Sequence, residues 1–118
     1  MPVFHGAQNK PAWLPLTDWG AMTFPPGSEK DFDCHYHDGD EIWTVVRGRA
    51  RVASEGREYE VGPGDTLATR MGQEHDIVEI HEELELVWIE LALRGLKRPG
   101  HLHRETDGDP VPLAEEAD

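Results

Sequence analysis

A single cysteine, Cys34, stands in 118 residues. One thiol excludes an intrachain disulfide and fits a reducing compartment. Basic residues are scarce: 11 Lys and Arg against 24 Asp and Glu give a formal net charge of −13. Nucleic acid and anionic membrane surfaces both call for basic patches, so neither is an expected partner. Apolar runs are short as well. None approaches the roughly 18–20 residues of a membrane span, and no charged-then-apolar leader opens the chain. A phosphate-cradling glycine loop with its lysine, a dinucleotide fingerprint and internal repeats are also missing. Ser54 has no glycine-flanked elbow, which argues against a serine hydrolase. What remains is one small domain with room for one core, expected to be soluble and cytoplasmic.

The residues that are present read as short strands between tight turns. Residues 1–24 carry Pro2, Pro11 and Pro15 beside Phe4 and Trp13, the pattern of an extended arm over an apolar surface, ending in a short edge strand at Trp19–Phe24. Pro25-Pro26-Gly27 stops that strand, and a barrel is expected over 25–95. Within it, strands are expected at Asp31–His37, Ile42–Val46, Arg47–Ala53, Arg57–Val61, Thr66–Thr69, His75–Ile80 and Leu84–Leu93. Gly48 reads as a bulge, Glu55-Gly56 as a hairpin turn, and Glu82-Glu83 as a break. Residues 96–118 form a tail whose acidic end is expected to be disordered. Eight to ten short strands imply an all-β double-sheet jelly roll closed into a barrel.

One stretch, Cys34 to Gly48, organises the chemistry. Side chains on a strand alternate faces, so His35 and His37 point the same way roughly 6–7 Å apart. Two imidazoles at that spacing can converge on one ion through bonds of about 2 Å. The Asp38-Gly39-Asp40 turn lets the chain bend so that Glu41 adds a carboxylate oxygen. A second block from Gly64 delivers His75 shortly after the Gly72 turn.

These two blocks resemble the paired motifs of the cupin superfamily, as a small single-domain member with both. His35, His37, Glu41 and Gly48 match the first motif, G(x)5HxH(x)3,4E(x)6G. Gly64, Gly72 and His75 match the second, G(x)5PxG(x)2H(x)3N. Glu29, Arg70 and Glu79 stand where the family has glycine, proline and asparagine. None of those departures removes a ligand. The resemblance implies a double-stranded β-helix with a metal in its mouth, held by His35, His37, Glu41 and His75. Three imidazoles and a carboxylate, without thiolate, suit a divalent transition ion such as Fe, Mn, Ni, Co or Zn.

Other candidates carry a plain reading beside a functional one. Trp43 shares the face of Glu41 by parity, as a pocket wall for substrate or as ordinary core. Glu79 is a candidate catalytic base or a solvated rim carboxylate; four residues of strand put it about 13 Å from His75. The second His-x-His, His101 and His103, is a solvated tail, or else a lid or second site. Cys34 is expected to pack on the opposite face as an unreactive thiol, and His5 and His81 to lie on the surface.

The resulting expectation is a metal-dependent enzyme acting on a small polar molecule, with isomerisation or related proton transfer on a sugar or sugar acid favoured. The alternatives are cupin dioxygenase chemistry and a non-catalytic, metal-assisted metabolite-binding domain. The arm and the two-faced apolar stretch Val87–Leu91 supply material for a homodimer.

Overall fold

The computed structural model describes residues 3–4, 9–93 and 98–110. Five strands carry the fold: β1 (Leu16–Phe24), β2 (Glu41–Ser54), β3 (Arg57–Val61), β4 (Thr66–Thr69) and β5 (His75–Leu91). A 3-10 turn at Ser28–Asp31 and one helical turn, α1 (Arg104–Asp107), are the other elements among the described residues. All strand pairs are antiparallel, in the order β1-β5-β2-β3. β4 pairs with the first part of β2 (Glu41↔Thr69 to Thr44↔Thr66) and β3 with the last part (Ala50↔Val61 to Ser54↔Arg57). The result is the jelly roll expected, built from fewer and longer strands.

Gly48 is the bulge expected, whereas the expected break at Glu82-Glu83 is not a break. β2 runs unbroken through Gly48, and β5 runs unbroken through Glu82-Glu83. Gly48 has φ +89°. A Cβ on it would lie 2.0 Å from the Glu83 carbonyl oxygen, so glycine is required there. The register shifts around it, and the inward side chains change from Glu41, Trp43 and Val45 to Ala50 and Val52. A strand that switches faces this way can line both halves of a barrel. Glu83 and Glu85 face Arg47 across the ladder, at 3.7 and 3.5 Å. Their charge marks a solvent-facing stretch of strand rather than a turn.

One apolar cluster fills the barrel: Trp43, Val45, Ala50, Val52, Val61, Ile77, Ile80, Leu84 and Leu86. Phe24, Phe32, Leu67 and Trp88 pack against it. The hairpin turn at Glu55 (φ +50°) and Gly56 (φ +79°) is as read from sequence, with the left-handed pair that two-residue hairpins favour. Phe4 packs edge-on against Trp19 of β1, with ring centroids 5.3 Å apart.

The segment expected as a strand at Asp31–His37 is instead the 3-10 turn followed by two single bridges, His35↔His75 and Tyr36↔Leu102. The second bridge corrects the picture of a solvated tail. Leu102 is buried and exchanges backbone hydrogen bonds of 3.0 and 2.9 Å with Tyr36. Arg98 donates from its backbone N–H and its Nε to Asp38 Oδ2, both at 2.9 Å, and the Tyr36 hydroxyl donates to the Gly108 carbonyl at 2.7 Å. The strap from 98 to 108 is thereby laid over the histidine segment. His5 and the acidic end, 111–118, lie outside the described residues. No helix among the described residues is long and apolar enough to cross a membrane.

Candidate metal centre

The two bridges and the start of β2 and β5 bring the motif histidines together. His35 and His75 pair as neighbouring strands, with His75 N–H donating to the His35 carbonyl at 2.9 Å. The Gly72 N–H donates to the His37 carbonyl at 2.8 Å and anchors the second turn to the first motif. Glu41 opens β2 directly beyond the Asp38-Gly39 bend. His35, His37, Glu41 and His75 are all buried, and one donor atom of each lies within 4.8 Å of the others.

The donor geometry fits a metal ion. His75 Nε2 stands 3.0 Å from His35 Nε2 and 3.0 Å from Glu41 Oε1, while His37 Nε2 stands 3.5 Å from Glu41 Oε1. Donors bound to one ion at about 2.1 Å would be separated by roughly 3.0–3.4 Å. His37 Nε2 and Glu41 Oε1 are buried without a hydrogen-bond partner, as is His75 Nδ1. Buried polar atoms left unpaired are costly, and an ion supplies the missing partner of His37 Nε2 and Glu41 Oε1. The far ring nitrogens of His35 and His37 are already engaged, whereas that of His75 is not. His35 Nδ1 donates to the Asp33 carbonyl. His37 Nδ1 donates to the Gly100 carbonyl at 3.1 Å and faces Glu90 Oε1 at 3.0 Å. Donation from Nδ1 leaves the Nε2 lone pair for a metal.

Electrostatics set the protonation states. Burial, then the charge of His75, lowers the His35 pKa to about 3, so the ring is neutral and able to ligate at neutral pH. Burial would lower that of His37 as well, but the hydrogen bond to Glu90 and the charges of Glu41 and Glu90 outweigh it and raise the pKa. Burial pushes Glu90 up, yet the hydrogen bond and charge of His37 prevail and bring its carboxyl below the usual range.

Beside the four ligands opens a cavity of about 220 Å³. Trp43 is part of its wall, edge-on to His75 at 4.9 Å, and so serves as both core and pocket lining. Glu90 and Asp18 line it too, and His101 stacks flat on His35 with ring centroids 3.7 Å apart. Sequence reasoning did not assign Glu90 or Asp18. The signal for Glu90 was a carboxylate on the same face as Leu84, Leu86 and Trp88, where an unpaired charge is out of place. His101 was flagged as half of a His-x-His; its partner His103 instead meets Asp33 Oδ2 at 2.6 Å.

Glu79 is not brought to the cluster. It is 48% exposed and pairs with Arg51 at 2.8 Å, because the register irregularity opposite Arg51 and Val52 turns it outward while Ile77 and Ile80 point in. His81 lies beside it on the surface and meets Glu60 at 3.0 Å. Cys34 is exposed rather than packed, which corrects one expectation. Its thiol is nevertheless pushed up to about 11, by desolvation first and then by Asp76 and Glu74, so it stays protonated at neutral pH.

Comparison with known proteins agrees with this geometry. A profile of the cupin domain matches residues 20–91. An uncharacterized protein of Sinorhizobium fredii is 41% identical over 78 residues, covering 66% of this chain and 36% of that protein. The chain thus spans little more than a third of the curated relative it matches. Among solved structures, a predicted oxalate decarboxylase from Thermotoga maritima superposes with a TM-score of 0.57 at 27% identity, over 64% of this chain and 65% of that one. KdgF from Halomonas sp. gives 0.54 at 25% identity, over 65% and 71%. With the motif ligands converging inside an antiparallel jelly roll, the chain belongs to the cupin-domain family.

Proposed function

We propose that this chain is a metal-dependent enzyme that transfers a proton on a small molecule bound beside His35, His37, Glu41 and His75. One observation carries the reading: a buried set of four donors, with His37 Nε2 and Glu41 Oε1 unpartnered, opens onto a cavity. A divalent ion of the Fe, Mn, Ni, Co or Zn type, when held there, supplies a Lewis acid for a carbonyl or hydroxyl oxygen. The chain supplies the rest. Trp43 and Trp88 form a wall against which the ligand body is excluded from water. Glu90 lines the cavity as a carboxylate, the form that accepts a proton. The hydrogen bond from His37 that lowers its pKa makes it a weaker base, so the ion must supply most of the activation. His37, raised in pKa and 3.0 Å away, holds that carboxylate in place.

Glu90 rather than Glu79 is therefore the proposed base. Isomerisation of a sugar or sugar acid remains a form this chemistry could take, but Met22, Phe24, Phe32 and Leu86 offer a ring of hydroxyls few partners. The same apolar wall favours a second reading, dioxygen-dependent chemistry on an apolar ligand, which consumption of oxygen by the iron-loaded protein would distinguish. Homodimerisation is proposed on the exposed arm residue Trp13 and is read by light scattering. The proton-transfer reading is tested by incubating metal-loaded protein with small hydroxy-carbonyl compounds in D2O and following C–H exchange by NMR. Exchange is expected in the wild type and at least a hundredfold slower in Glu90→Gln at unchanged metal content. Equal exchange in that variant would remove Glu90 from the mechanism.

A further inference from the structure

We infer that the cavity selects a small molecule with an apolar body and a cationic head, with Asp18 and Glu90 reading the charge. This rests on the metal-centre reading above and adds a substrate class to it.

The strand register arranges the cavity wall in rows. Asp18, Glu90 and Glu41 are cross-strand partners on β1, β5 and β2, so three carboxylates stand side by side nearest the metal ligands. Two residues along, on the same face, the row is Gly20, Trp88 and Trp43. The next is Met22, Leu86 and Val45, and then Phe24 beside Leu84. The face therefore grades from acidic through aromatic to aliphatic. Phe32 and Ile77 extend the apolar end, and His101 covers the acidic one.

The aromatic row is built to stay open. A Cβ on Gly20 would come within 2.5 Å of the Trp88 ring, so the missing side chain is what lets the indole lie across β1. The Trp88 Nε1–H donates to Asp18 Oδ2 at 3.2 Å and fixes both groups. Asp18 stands at the mouth and Glu90 deeper in.

Charge balance identifies the head group. Among the described residues lining the cavity none is Lys or Arg, and Arg98 is committed to Asp38 and to the Asp107 carbonyl. With His37 held to the ion as a neutral ring, a divalent ion set against three carboxylates leaves one negative charge over. An ammonium group neutralises it, whereas a ligand carboxylate adds to it beside two other carboxylates. Trp43 and Trp88 further favour a cation over an anion at the boundary between the acidic and apolar zones. The net charge of −13 steers in the same sense. At about 220 Å³ the cavity falls below the roughly 300–1,000 Å³ of drug-sized sites, so the body is about one small ring.

The test is a tryptophan-fluorescence titration of zinc-loaded and of chelator-stripped protein with cyclohexylamine, cyclohexanol, cyclohexanecarboxylate and inositol. Both protein forms are expected to bind the amine at least tenfold more tightly than the carboxylate, with the alcohol between and inositol unbound. Asp18→Asn retains an acceptor for Trp88 and is expected to cut the advantage of the amine over the alcohol threefold or more. Tighter binding of the carboxylate, inositol binding as well as cyclohexanol, no quenching by any of the four, or an unchanged preference in Asp18→Asn would each overturn the inference. Failure to take up zinc would instead strike the metal reading, and the order measured on the stripped protein would still decide this one.

Discussion

At the scale of single residues, the surroundings push the pKa values of two ligand histidines in opposite directions. His35 is neutral because burial and the neighbouring His75 disfavour its charge. His37 is drawn toward the charged form by Glu90 and Glu41. The consequences for stability have opposite signs. The His35 pKa falls from 6.5 unfolded to about 3 folded, so its contribution is complete above pH 6.5 and is lost as the pH drops toward 3. That of His37 is complete below its ordinary value and is lost as the pH rises through its raised one. Metal-stripped protein should therefore lose urea resistance between pH 6.5 and 3, and His35→Gln should flatten that decline. Parallel profiles for the two proteins would show that His35 is not the group responsible.

At the scale of elements, the decisive feature is a strand that changes faces without ending. Gly48 lets β2 bulge, and the partner irregularities in β5 keep the two strands paired through the bend. Gly48→Ala would force a Cβ into the Glu83 backbone and a side chain into a left-handed φ. It should cost about 1–3 kcal/mol or more, visible as a lowered denaturant midpoint with the slope unchanged. A midpoint within error of wild type would mean that the bulge relaxes freely. This element also shows what was legible in the sequence. The motif ligands, the hairpin at Glu55-Gly56 and the inward face of Trp43 followed from spacing and period two. For Glu79 the distance from His75 pointed to the rim, where it lies, but the bulge that turns it outward was not legible. The continuity of β5 was hidden because Glu82-Glu83 imitates a turn until Arg47 is seen beside Glu83. Glu90 and Asp18 needed the register, since only cross-strand pairing sets them beside Glu41.

At the scale of the molecule, a strap and a sheet enclose one site. Residues 98–108 cross the histidine segment through the Leu102–Tyr36 bridge and the Arg98–Asp38 pair, and they bring Gly100 and His101 to the ligands. The apolar cluster holds the barrel closed behind the cavity. Both arrangements leave His37 Nε2 and Glu41 Oε1 buried and unpartnered, which is intelligible if an ion is their partner. The most direct measurement is metal content of freshly purified protein by mass spectrometry, for the wild type beside His37→Ala and His75→Ala. Close to one transition-metal ion per chain in the wild type, lost in both folded variants, is the predicted result. A wild type that purifies without metal and takes up none when iron, manganese, nickel, cobalt or zinc is added would contradict the account.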